Sequence, residues 1–341
     1  MADSDSDTSP DDKGADDQGA GDGVRIGFDL GGTKMYACAF DADYKLLGKD
    51  RRKTKGHLGS EAGVERIIDT INDCLADAKV DAKDVIGIGA GVPGVTDLDK
   101  GVLINTANLG WKDVPLAKLL QKEFDCPVTL CNDVDAGVYG EWKFGAGKEK
   151  RCVLGVFPGT GIGGGMVYEG AIFRGAKYSC LEIGHMPVDP LGPRSGLGQR
   201  GTLEAVASKL TIASQAALAA YRGQAPHLMK ETGTDLIDIR SGALSDSAEH
   251  DDAVRQILLD AAEIIGTTVG GVVNLLAPDV VVLGGGLVEA MPKLLVPAVK
   301  QAAEAAAMPA FRGIFEVVAA ELGDEAAVMG AAAWQQRQAD G

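Results

Sequence analysis

Two glycine-rich segments constrain the fold of this chain more than any other feature of its sequence. Each follows a short apolar run typical of a buried strand, and each contains a glycine–threonine pair: Gly31-Gly32-Thr33-Lys34 in the first and Gly159-Thr160-Gly161 in the second. Because glycine has no Cβ, such turns leave backbone N–H groups bare and let an anion approach closely. The two segments predict two walls of one nucleotide-phosphate site and a repeated α/β unit.

Strands and helices alternate along the chain, which predicts an α/β fold with mostly parallel sheets covered by helices. Short apolar runs predict strands at 24–30, 35–40, 45–54, 85–91, 127–131, 152–157, 165–169 and 280–283. Helical periodicity predicts helices at 61–78, 114–124, 134–144, 203–220, 252–276 and 324–336. The repeat places a domain boundary near residues 133–150. In the helix at 252–276, the spacing of Gly266 and Gly270 predicts that another backbone packs closely against it.

Composition and charge narrow the class of protein. The 341 residues are 45% hydrophobic and carry a formal net charge of −16, which is globular composition with room for two domains. A nucleic-acid-binding protein normally has a basic face, so nucleic acid is not expected as a partner. Residues 1–23 have almost no apolar side chains, which predicts a disordered acidic tail and not a secretory signal.

Cysteine usage and hydropathy favour a cytoplasmic protein. The six cysteines lie mostly in apolar runs without a CxxC pair, which favours reduced core thiols over disulfides. The most apolar stretch, 269–288, contains Asn274, Pro278 and Asp279. It therefore predicts a helix, a turn and a strand, and no membrane partner is expected.

Asp29 precedes the first turn, at the end of its predicted strand. A carboxylate there can hold Mg²⁺ through water, while Thr33 and its neighbours donate hydrogen bonds to phosphate. The alternative is a plain hairpin that needs glycine at positive φ.

The later glycine-rich segments also have two interpretations each. Five glycines lie between 159 and 165, including Gly161 and Gly163, and this number favours close approach of a ligand over a simple hairpin. Gly284-Gly285-Gly286 lies between an apolar strand and a helix, where open sheets bind ligands but where plain loops also occur. A P-loop is excluded because no GxxxxGK[ST] segment occurs.

Asn132-Asp133 follows the strand predicted at 127–131, between the two glycine-rich units. A carboxylate at the carboxyl end of a strand could take a proton from a hydroxyl nucleophile. Capping of the next helix explains the same two residues equally well.

A further set of polar residues offers partners for sugar hydroxyls. It comprises Asn108, Glu182-Ile183-Gly184-His185 and Glu204. Taken singly, a lone histidine is more often structural and a lone glutamate is usually a solvated helix residue. Only the presence of all these residues together indicates a sugar-binding site.

Together these motifs resemble the ROK family (repressors, open reading frames, kinases) of bacterial sugar kinases, within the actin-like ATPase superfamily. The similarity runs from about Val24 to Trp334. It depends on several motifs in order: Asp29-Leu30-Gly31-Gly32-Thr33-Lys34, Gly91-Val92-Pro93-Gly94, Asn108-Leu109-Gly110-Trp111, Asn132-Asp133, Gly159-Thr160-Gly161-Ile162-Gly163-Gly164-Gly165, Glu182-Ile183-Gly184-His185 and Leu283-Gly284-Gly285-Gly286.

The resemblance implies an actin-like, ribonuclease H-like α/β fold whose two domains surround a central cleft. After the tail, the small domain would comprise 24–132 and 324–338, and the large domain 133–323. Asp133 would be the general base, with Mg²⁺ bound to ATP and reached by Asp29 through water. The implied sugar contacts are Gly94, Asn108, Asn132, Asp133, Glu182, His185 and Glu204. The implied ATP contacts are Asp29, Gly31, Gly32, Thr33, Lys34, Gly159, Thr160, Gly161, Gly163, Gly284, Gly285 and Gly286.

One segment departs from the family pattern. Many members follow the Gly-His motif with a CxCGxxGC-type run that holds a structural zinc, but the aligned positions here are Ser195, Leu197 and Thr202. None is a good zinc ligand. We therefore expect no zinc in this loop, which would be held by packing and by hydrogen bonds, including those from Arg194 or Arg200.

The resemblance implies a cytoplasmic, homodimeric, ATP-dependent hexose kinase. Within that class it favours a glucokinase, which phosphorylates glucose. Fructose, mannose and N-acetylmannosamine stay open as acceptors, and polyphosphate as donor. A sugar-sensing repressor of the same family would need a DNA-binding helix-turn-helix, whereas only 28 residues, acidic in character, precede Asp29. The presence of Asp133 and of both phosphate turns argues against a non-catalytic sugar-binding protein.

Overall fold

Two five-stranded sheets and one three-stranded sheet carry the described part of the fold. The computed structural model describes residues 23–106 and 108–340. The strands of the first part are β1 Val24–Leu30, β2 Lys34–Phe40, β3 Leu46–Lys53, β4 Val85–Val92, β5 Val95–Asp97, β6 Val102–Thr106, β7 Trp111–Val114 and β8 Val128–Asn132. The helices of this part are α1 Ser60–Ala78 and α2 Leu116–Phe124.

The second part contains shorter strands and most of the helices. Its strands are β9 Cys152–Pro158, β10 Ile162–Tyr168, β11 Ala171–Ile172, β12 Val280–Leu283 and β13 Glu316–Ala319. Its helices are α3 Asp133–Phe144, α4 Leu203–Ala207, α5 Lys209–Tyr221, α6 Pro226–Glu231, α7 Ser241–His250, α8 Asp252–Leu276, α9 Gly286–Ala290, α10 Pro292–Ala306 and α11 Ala326–Asp340.

Both large sheets combine an antiparallel hairpin with parallel strands. The first has the order β3-β2-β1-β4-β8, in which β1 is antiparallel to β2 and parallel to β4, and β4 is parallel to β8. The second has the order β11-β10-β9-β12-β13, in which β9 is antiparallel to β10 and parallel to β12. The two sheets thus repeat one plan. In each, parallel strands bring their carboxyl ends to the same edge.

Helices α3 and α11 lie between the two sheets and pack on each other. A Cβ added to Gly330 of α11 would lie 1.8 Å from the carbonyl oxygen of Ala136 in α3. The same helix reaches the first sheet, since a Cβ on Gly27 of β1 would lie 1.9 Å from the carbonyl oxygen of Val328. Glycine is therefore required where these backbones meet. The contact of α11 with β1 supports our proposal that 324–338 joins 24–132 in one domain and leaves 133–323 as the other.

The small sheet, of order β5-β6-β7, was not predicted. Its strands have three to five residues and are separated by turns with positive φ at Gly94, Gly101 and Gly110, and Asp113 within β7 also has positive φ. The helix predicted from residue 114 begins later, because Val114 still pairs with Leu103 in the sheet and α2 starts at Leu116.

Several other boundaries differ from those predicted. The strand predicted at 165–169 spans 162–168, because it continues the hairpin from the second glycine turn. The helix predicted at 203–220 is two helices, α4 and α5, because Ser208 leaves the helical conformation and its Oγ accepts a hydrogen bond from the N–H of Thr211. The predicted tail, 1–23, lies outside the described residues except for Gly23.

The close packing predicted for helix α8 is confirmed. A Cβ on Gly266 would lie 2.4 Å from the carbonyl oxygen of Val299, and one on Gly270 2.6 Å from that of Ala303, both in α10. Within the described residues, α8 is the one helix long and apolar enough to cross a membrane. Since 56% of its most apolar window is buried inside the fold, it has the surroundings of a core helix.

Candidate active site

The carboxyl edges of the two large sheets face a common cleft of about 300 Å³. Asp29 at the end of β1 and Asp133 after β8 line it from the first sheet. Phe157 of β9, Gly285 and Ala320 line it from the second sheet. The other lining residues are Val134, Gly137, Gly286, Glu289, Gly323, Asp324, Ala326 and Ala327. Residues far apart in the sequence therefore meet at the place where α/β sheets usually bind ligands.

Asp29 lies among other carboxylates. Burial, with smaller contributions from the charges of Asp133 and Asp324, raises its pKa to about 7. Arg51 acts in the opposite direction and donates a hydrogen bond to Asp324 Oδ2 at 2.7 Å. A partly buried carboxylate beside two others gains from a nearby cation. The position is thus compatible with a Mg²⁺ ion reached through water.

Asp133 is the first residue of α3. Burial raises its pKa; hydrogen bonds from the backbone, among them that from the N–H of Val134 to Oδ1 at 3.0 Å, act against this rise. The capping role belongs to Asn132, whose Oδ1 accepts from the N–H groups of Val134 at 2.9 Å and Asp135 at 3.2 Å. The Asp133 carboxylate therefore lies at the N-terminus of α3 and lines the cleft.

The first glycine turn connects β1 and β2 as a hairpin. A Cβ on Gly31 would lie 2.6 Å from the carbonyl oxygen of Lys34, so the tightness of the turn requires glycine there. Gly32, Thr33 and Lys34 are exposed. Neither Gly31 nor Gly32 has positive φ, so the alternative based on positive φ is wrong, although the hairpin itself is present.

The second glycine turn connects β9 and β10. The N–H of Gly159 donates to the carbonyl oxygen of Gly161 at 2.8 Å, which closes the turn. The three glycines at 163–165 lie inside β10, where added Cβ atoms would lie 2.5 Å from Val134, 2.4 Å from the Leu181 carbonyl and 2.9 Å from Asp135 Oδ1. A Cβ on Gly161 would likewise lie 2.0 Å from Glu204 Oε2, so close contacts account for every glycine of this segment except Gly159, which lies at the tip beside Thr160.

The third segment connects β12 to α9. A Cβ on Gly284 would lie 2.2 Å from the ring of Phe157, and Gly285 has φ +82°, so both positions need glycine for structural reasons. Gly285 and Gly286 line the same cleft as Asp29. The loop is therefore both a tight connection and a wall of the cleft.

Glu182 lies near enough to Asp133 for its charge to act on that carboxylate, and His185 lies beside Glu182. The Glu182 charge helps to raise the pKa of Asp133, and Glu182 Oε2 lies 4.0 Å from His185 Nε2. The other ring nitrogen of His185, Nδ1, lies 2.9 Å from Gln199 Oε1. The structure thus places Glu182 near Asp133, His185 beside Glu182, and Gln199 on the far side of the imidazole.

Asn108 and Glu204 lie at the two glycine turns, and Gly94 lies in the turn between β4 and β5. Asn108 is exposed, and its Cβ would lie 3.4 Å from a Cβ on Gly32 of the first turn. Glu204 Oε2 accepts a hydrogen bond from the N–H of Ile162 at 3.2 Å, directly behind Gly161 of the second turn. Gly94 has φ +82°, and a Cβ there would lie 2.5 Å from the Asn105 carbonyl oxygen, so the turn itself requires this glycine.

Comparison with known proteins decides the family. The sequence pattern of the ROK family matches residues 25–338. The chain belongs to the ROK family. A glucokinase from Thermotoga maritima is 33% identical over 309 residues, which cover 90% of this chain and 95% of that protein.

Solved ROK structures share the fold. The ROK glucokinase from Streptomyces griseus, in complex with glucose and AMPPNP, has a TM-score of 0.81 and 26% identity, covering 92% of this chain and 100% of that one. A ROK hexokinase from Thermus thermophilus has a TM-score of 0.74 and 29% identity, with 93% and 100% covered. The prediction of an actin-like ATPase fold is confirmed.

The ROK segment that often holds zinc is built differently here. Leu197 is exposed, and Thr202 Oγ1 caps α4 by accepting from the N–H of Ala205 at 3.3 Å. Both arginines stabilise the loop as predicted: Arg194 donates to the Gly198 carbonyl at 2.7 Å, and Arg200 donates to the carbonyls of Leu191 and Gly192 at 3.4 Å each. Ser195 N–H adds a bond of 2.7 Å to the Gln199 carbonyl. That this ROK loop binds no zinc stays a prediction.

Sequence reasoning missed Asp135. Its side chain is buried, its Oδ2 accepts a hydrogen bond from the Ser179 hydroxyl, and its Oδ1 has no partner among the described residues. Burial, with smaller contributions from Asp133 and Glu182, raises its pKa to about 7. Its spacing from Asp133 gave no signal, because residues two apart on a helix lie on different faces, and only the folded chain shows that Asp135 faces Gly165 of β10.

Two more carboxylates of the ROK cleft were also missed. Glu289 lies in α9, and burial together with the charge of Asp324 raises its pKa. Asp324 precedes α11 and is bound by Arg51. Neither residue lies in a glycine motif, so only the folded chain shows that they line the cleft with Asp29.

Proposed function

We propose that this protein is an ATP-dependent hexose kinase that prefers glucose and uses Asp133 as general base. The observation that carries the proposal is the position of Asp133, which lines the cleft between the two sheets beside Glu182. A carboxylate placed there can accept the proton of a sugar hydroxyl as its oxygen attacks the terminal phosphate in line. General-base help of this kind contributes about 10²–10⁴-fold to the rate.

The proposed ATP site uses all three glycine segments. The tips at Thr33 and Thr160 would bind phosphate oxygens, because both are exposed and each carries a hydroxyl beside glycine backbone. Gly285 and Gly286 would lie against the adenosine end, beside Phe157. Support comes from the fold shared with the Streptomyces griseus enzyme, which was solved with a nucleotide analogue.

The chemistry of the cleft fits Mg²⁺. Asp29, Glu289 and Asp324 supply oxygen donors, which Mg²⁺ prefers, and the repulsion among the cleft carboxylates would be relieved by a cation. Mg²⁺ bound with ATP supplies charge neutralisation during phosphoryl transfer. In our proposal Asp29 orients water of the ion's hydration shell, and Asp133 is reserved for the proton of the sugar.

The proposed sugar site lies where both phosphate turns meet polar side chains. Asn108 beside Gly32 and Glu204 behind Gly161 would bind hydroxyls close to the phosphates. Glu182 and His185 would bind the other side of the ring, next to Asp133. Asn132 caps α3 through Oδ1, and its side chain also acts on the Asp133 carboxylate, so we place it next to the reacting hydroxyl. Glucose as the acceptor is supported by the glucokinase relatives.

We further propose that the protein works in the cytoplasm as a homodimer. ATP is a substrate of the cell interior, and the cysteines among the described residues are all free thiols, as expected in a reducing compartment. Sedimentation equilibrium of the purified chain distinguishes a dimer from a monomer by mass.

A coupled assay that detects ADP and sugar phosphate tests the proposal. Glucose, mannose, fructose and N-acetylmannosamine are compared as acceptors, with Mg-ATP and polyphosphate as donors. We expect the highest kcat/KM for glucose with ATP and loss of turnover when Mg²⁺ is chelated. Turnover with none of these pairs would contradict kinase activity, and a higher kcat/KM for another sugar would reassign the acceptor.

A further inference from the structure

A second group of metal-ligating side chains lies outside the cleft, where α6 meets α7. His227 belongs to α6, and Asp246 and His250 are one turn apart on α7. One ligand atom of each residue lies within 4.8 Å of the other two. The chain contains only four histidines, so two of them meet here at one carboxylate.

Hydrogen bonds hold both imidazole rings through their Nδ1 atoms. His227 Nδ1 lies 3.2 Å from Ser247 Oγ, and His250 Nδ1 lies 2.9 Å from the carbonyl oxygen of Asp246. A carbonyl only accepts, so His250 Nδ1 donates its proton and Nε2 is left with its lone pair. Metal-binding histidines usually have this arrangement, because the hydrogen bond from the nitrogen that does not bind the metal fixes the tautomer and orients the ring.

The three groups lie close together on the facing parts of α6 and α7. The two rings stack with their centroids 4.2 Å apart and their planes at 8°, and Asp246 Oδ2 lies 3.6 Å from His227 Nε2. Asp246 and His250 are exposed, while His227 is partly buried. Ligands of one ion bind at about 2.1 Å and so lie closer together than these atoms do. In the proposed complex the exposed Asp246 and His250 side chains would rotate toward His227, and the two rings would leave their parallel stack, because lone pairs in parallel ring planes do not meet at one ion.

We propose that His227, Asp246 and His250 bind one divalent transition-metal ion of the Zn²⁺ type, with water at its remaining positions. Two imidazole nitrogens and one carboxylate oxygen form a donor set that suits Zn²⁺, Ni²⁺ or Cu²⁺ and not Mg²⁺ or Ca²⁺. Because the ligands come from two helices, the bound ion links α6 to α7. Open water positions make it an exchangeable surface site.

This site is separate from the nucleotide cleft. Helix α7 begins at Ser241, whose Oγ lies 3.7 Å from a Cβ built on Gly286 of the third glycine segment. His250 ends the same helix, roughly 14 Å further along at 1.5 Å per residue. The proposed ion therefore has no ligand in common with Mg-ATP.

Calorimetric titration of tag-free full-length protein with ZnCl₂ tests the proposal. We expect one zinc ion per chain, with affinity at least about tenfold weaker in His250→Ala, His227→Ala and Asp246→Asn. His57→Ala is the matched control, because it removes an exposed histidine elsewhere and should leave the affinity unchanged. Circular dichroism checks that each variant is folded, and Asp246→Asn keeps the side-chain shape.

A spectroscopic measurement identifies the ligands directly. With one equivalent of Cu²⁺, the electron paramagnetic resonance spectrum should show coupling to two nitrogens, reduced to one in His250→Ala. Zinc affinity unchanged by all three substitutions would overturn the proposal, as would failure of the folded wild-type chain to bind zinc at millimolar concentration.

Discussion

At the scale of the residue, one hydrogen bond to Gln199 positions His185 in the proposed sugar site. Gln199 Oε1 lies 2.9 Å from His185 Nδ1 and fixes the ring beside Glu182. Gln199→Ala is expected to raise KM for glucose about three- to tenfold, the value of one hydrogen bond, with a smaller effect on kcat. Steady-state kinetics with varied glucose measure both constants.

Leu197→Ala is the control for this prediction, since Leu197 is exposed in the same loop and its side chain is 68% accessible. The control should leave KM unchanged. An equal rise of KM in both variants would mean that the loop acts through its general order, and an unchanged KM in Gln199→Ala would contradict the positioning role.

Asp135 makes stability depend on pH. Its folded pKa is about 7, mainly because of burial, against about 3.9 in an unfolded chain. The folded state holds this proton more tightly, so the free energy of unfolding falls as pH rises from about 4 to 7 and the loss is complete above 7. Asp135→Asn removes the ionisation. The free energy of unfolding of Asp135→Asn minus that of the wild type should be larger at pH 8 than at pH 5 by about 1–3 kcal/mol.

Urea denaturation at both pH values measures this difference. Glu263→Gln, an exposed carboxylate on α8, serves as control and should show the same small difference at pH 5 and pH 8. A stability difference of Asp135→Asn that does not change with pH would contradict the argument.

At the scale of the element, the contact between α8 and α10 distinguishes two neighbouring glycines. A Cβ on Gly266 would lie 2.4 Å from the Val299 carbonyl oxygen, whereas a Cβ on Gly271 meets nothing within 4 Å. Gly266→Ala should therefore lower the free energy of unfolding by about 1–3 kcal/mol. Gly271→Ala should raise it by about 0.5–1 kcal/mol, because alanine favours the helix. Denaturation midpoints that rank the two variants in the opposite order would contradict the packing.

Elements with long periodic patterns could be predicted from the sequence, and short ones could not. Helix α8 and strand β12 begin and end where periodicity and glycine indicate. Periodicity continues across Ser208, so the break between α4 and α5 was missed, since a serine can either cap a helix or lie within one. Strand β13 was missed because four residues carry no detectable period and its pairing with β12 is non-local.

At the scale of the whole molecule, the last helix returns to the first sheet. Helix α11 packs on β1 and β4 through Gly27 and Gly89, where a Cβ would lie 1.9 Å from a carbonyl oxygen of the helix in each case. This contact and the packing of α11 on α3 join the two halves of the chain. Movement of one sheet relative to the other would therefore be transmitted through α3, the helix that begins with Asp133.

The cleft could be predicted from motifs, but its electrostatics could not. The glycine turns, Asp29 and Asp133 are visible in the sequence because each lies next to a recognisable strand. Glu289 and Asp324 come from segments without a motif, and only folding places them beside Asp29, where the charge of Asp324 helps to raise its pKa. The electrostatic interactions within the cleft depend on distances between residues that are far apart in the sequence. A local sequence pattern carries no information about those distances.

The central claim is that segments distant in sequence converge so that one carboxylate, Asp133, takes the proton of a bound sugar. Asp133→Asn keeps the shape of the side chain and removes the base. Its turnover number in the coupled assay should fall by about 10²–10⁴-fold, while calorimetry shows glucose bound within a few-fold of the wild-type affinity. Turnover close to that of the wild type in this variant would contradict the account.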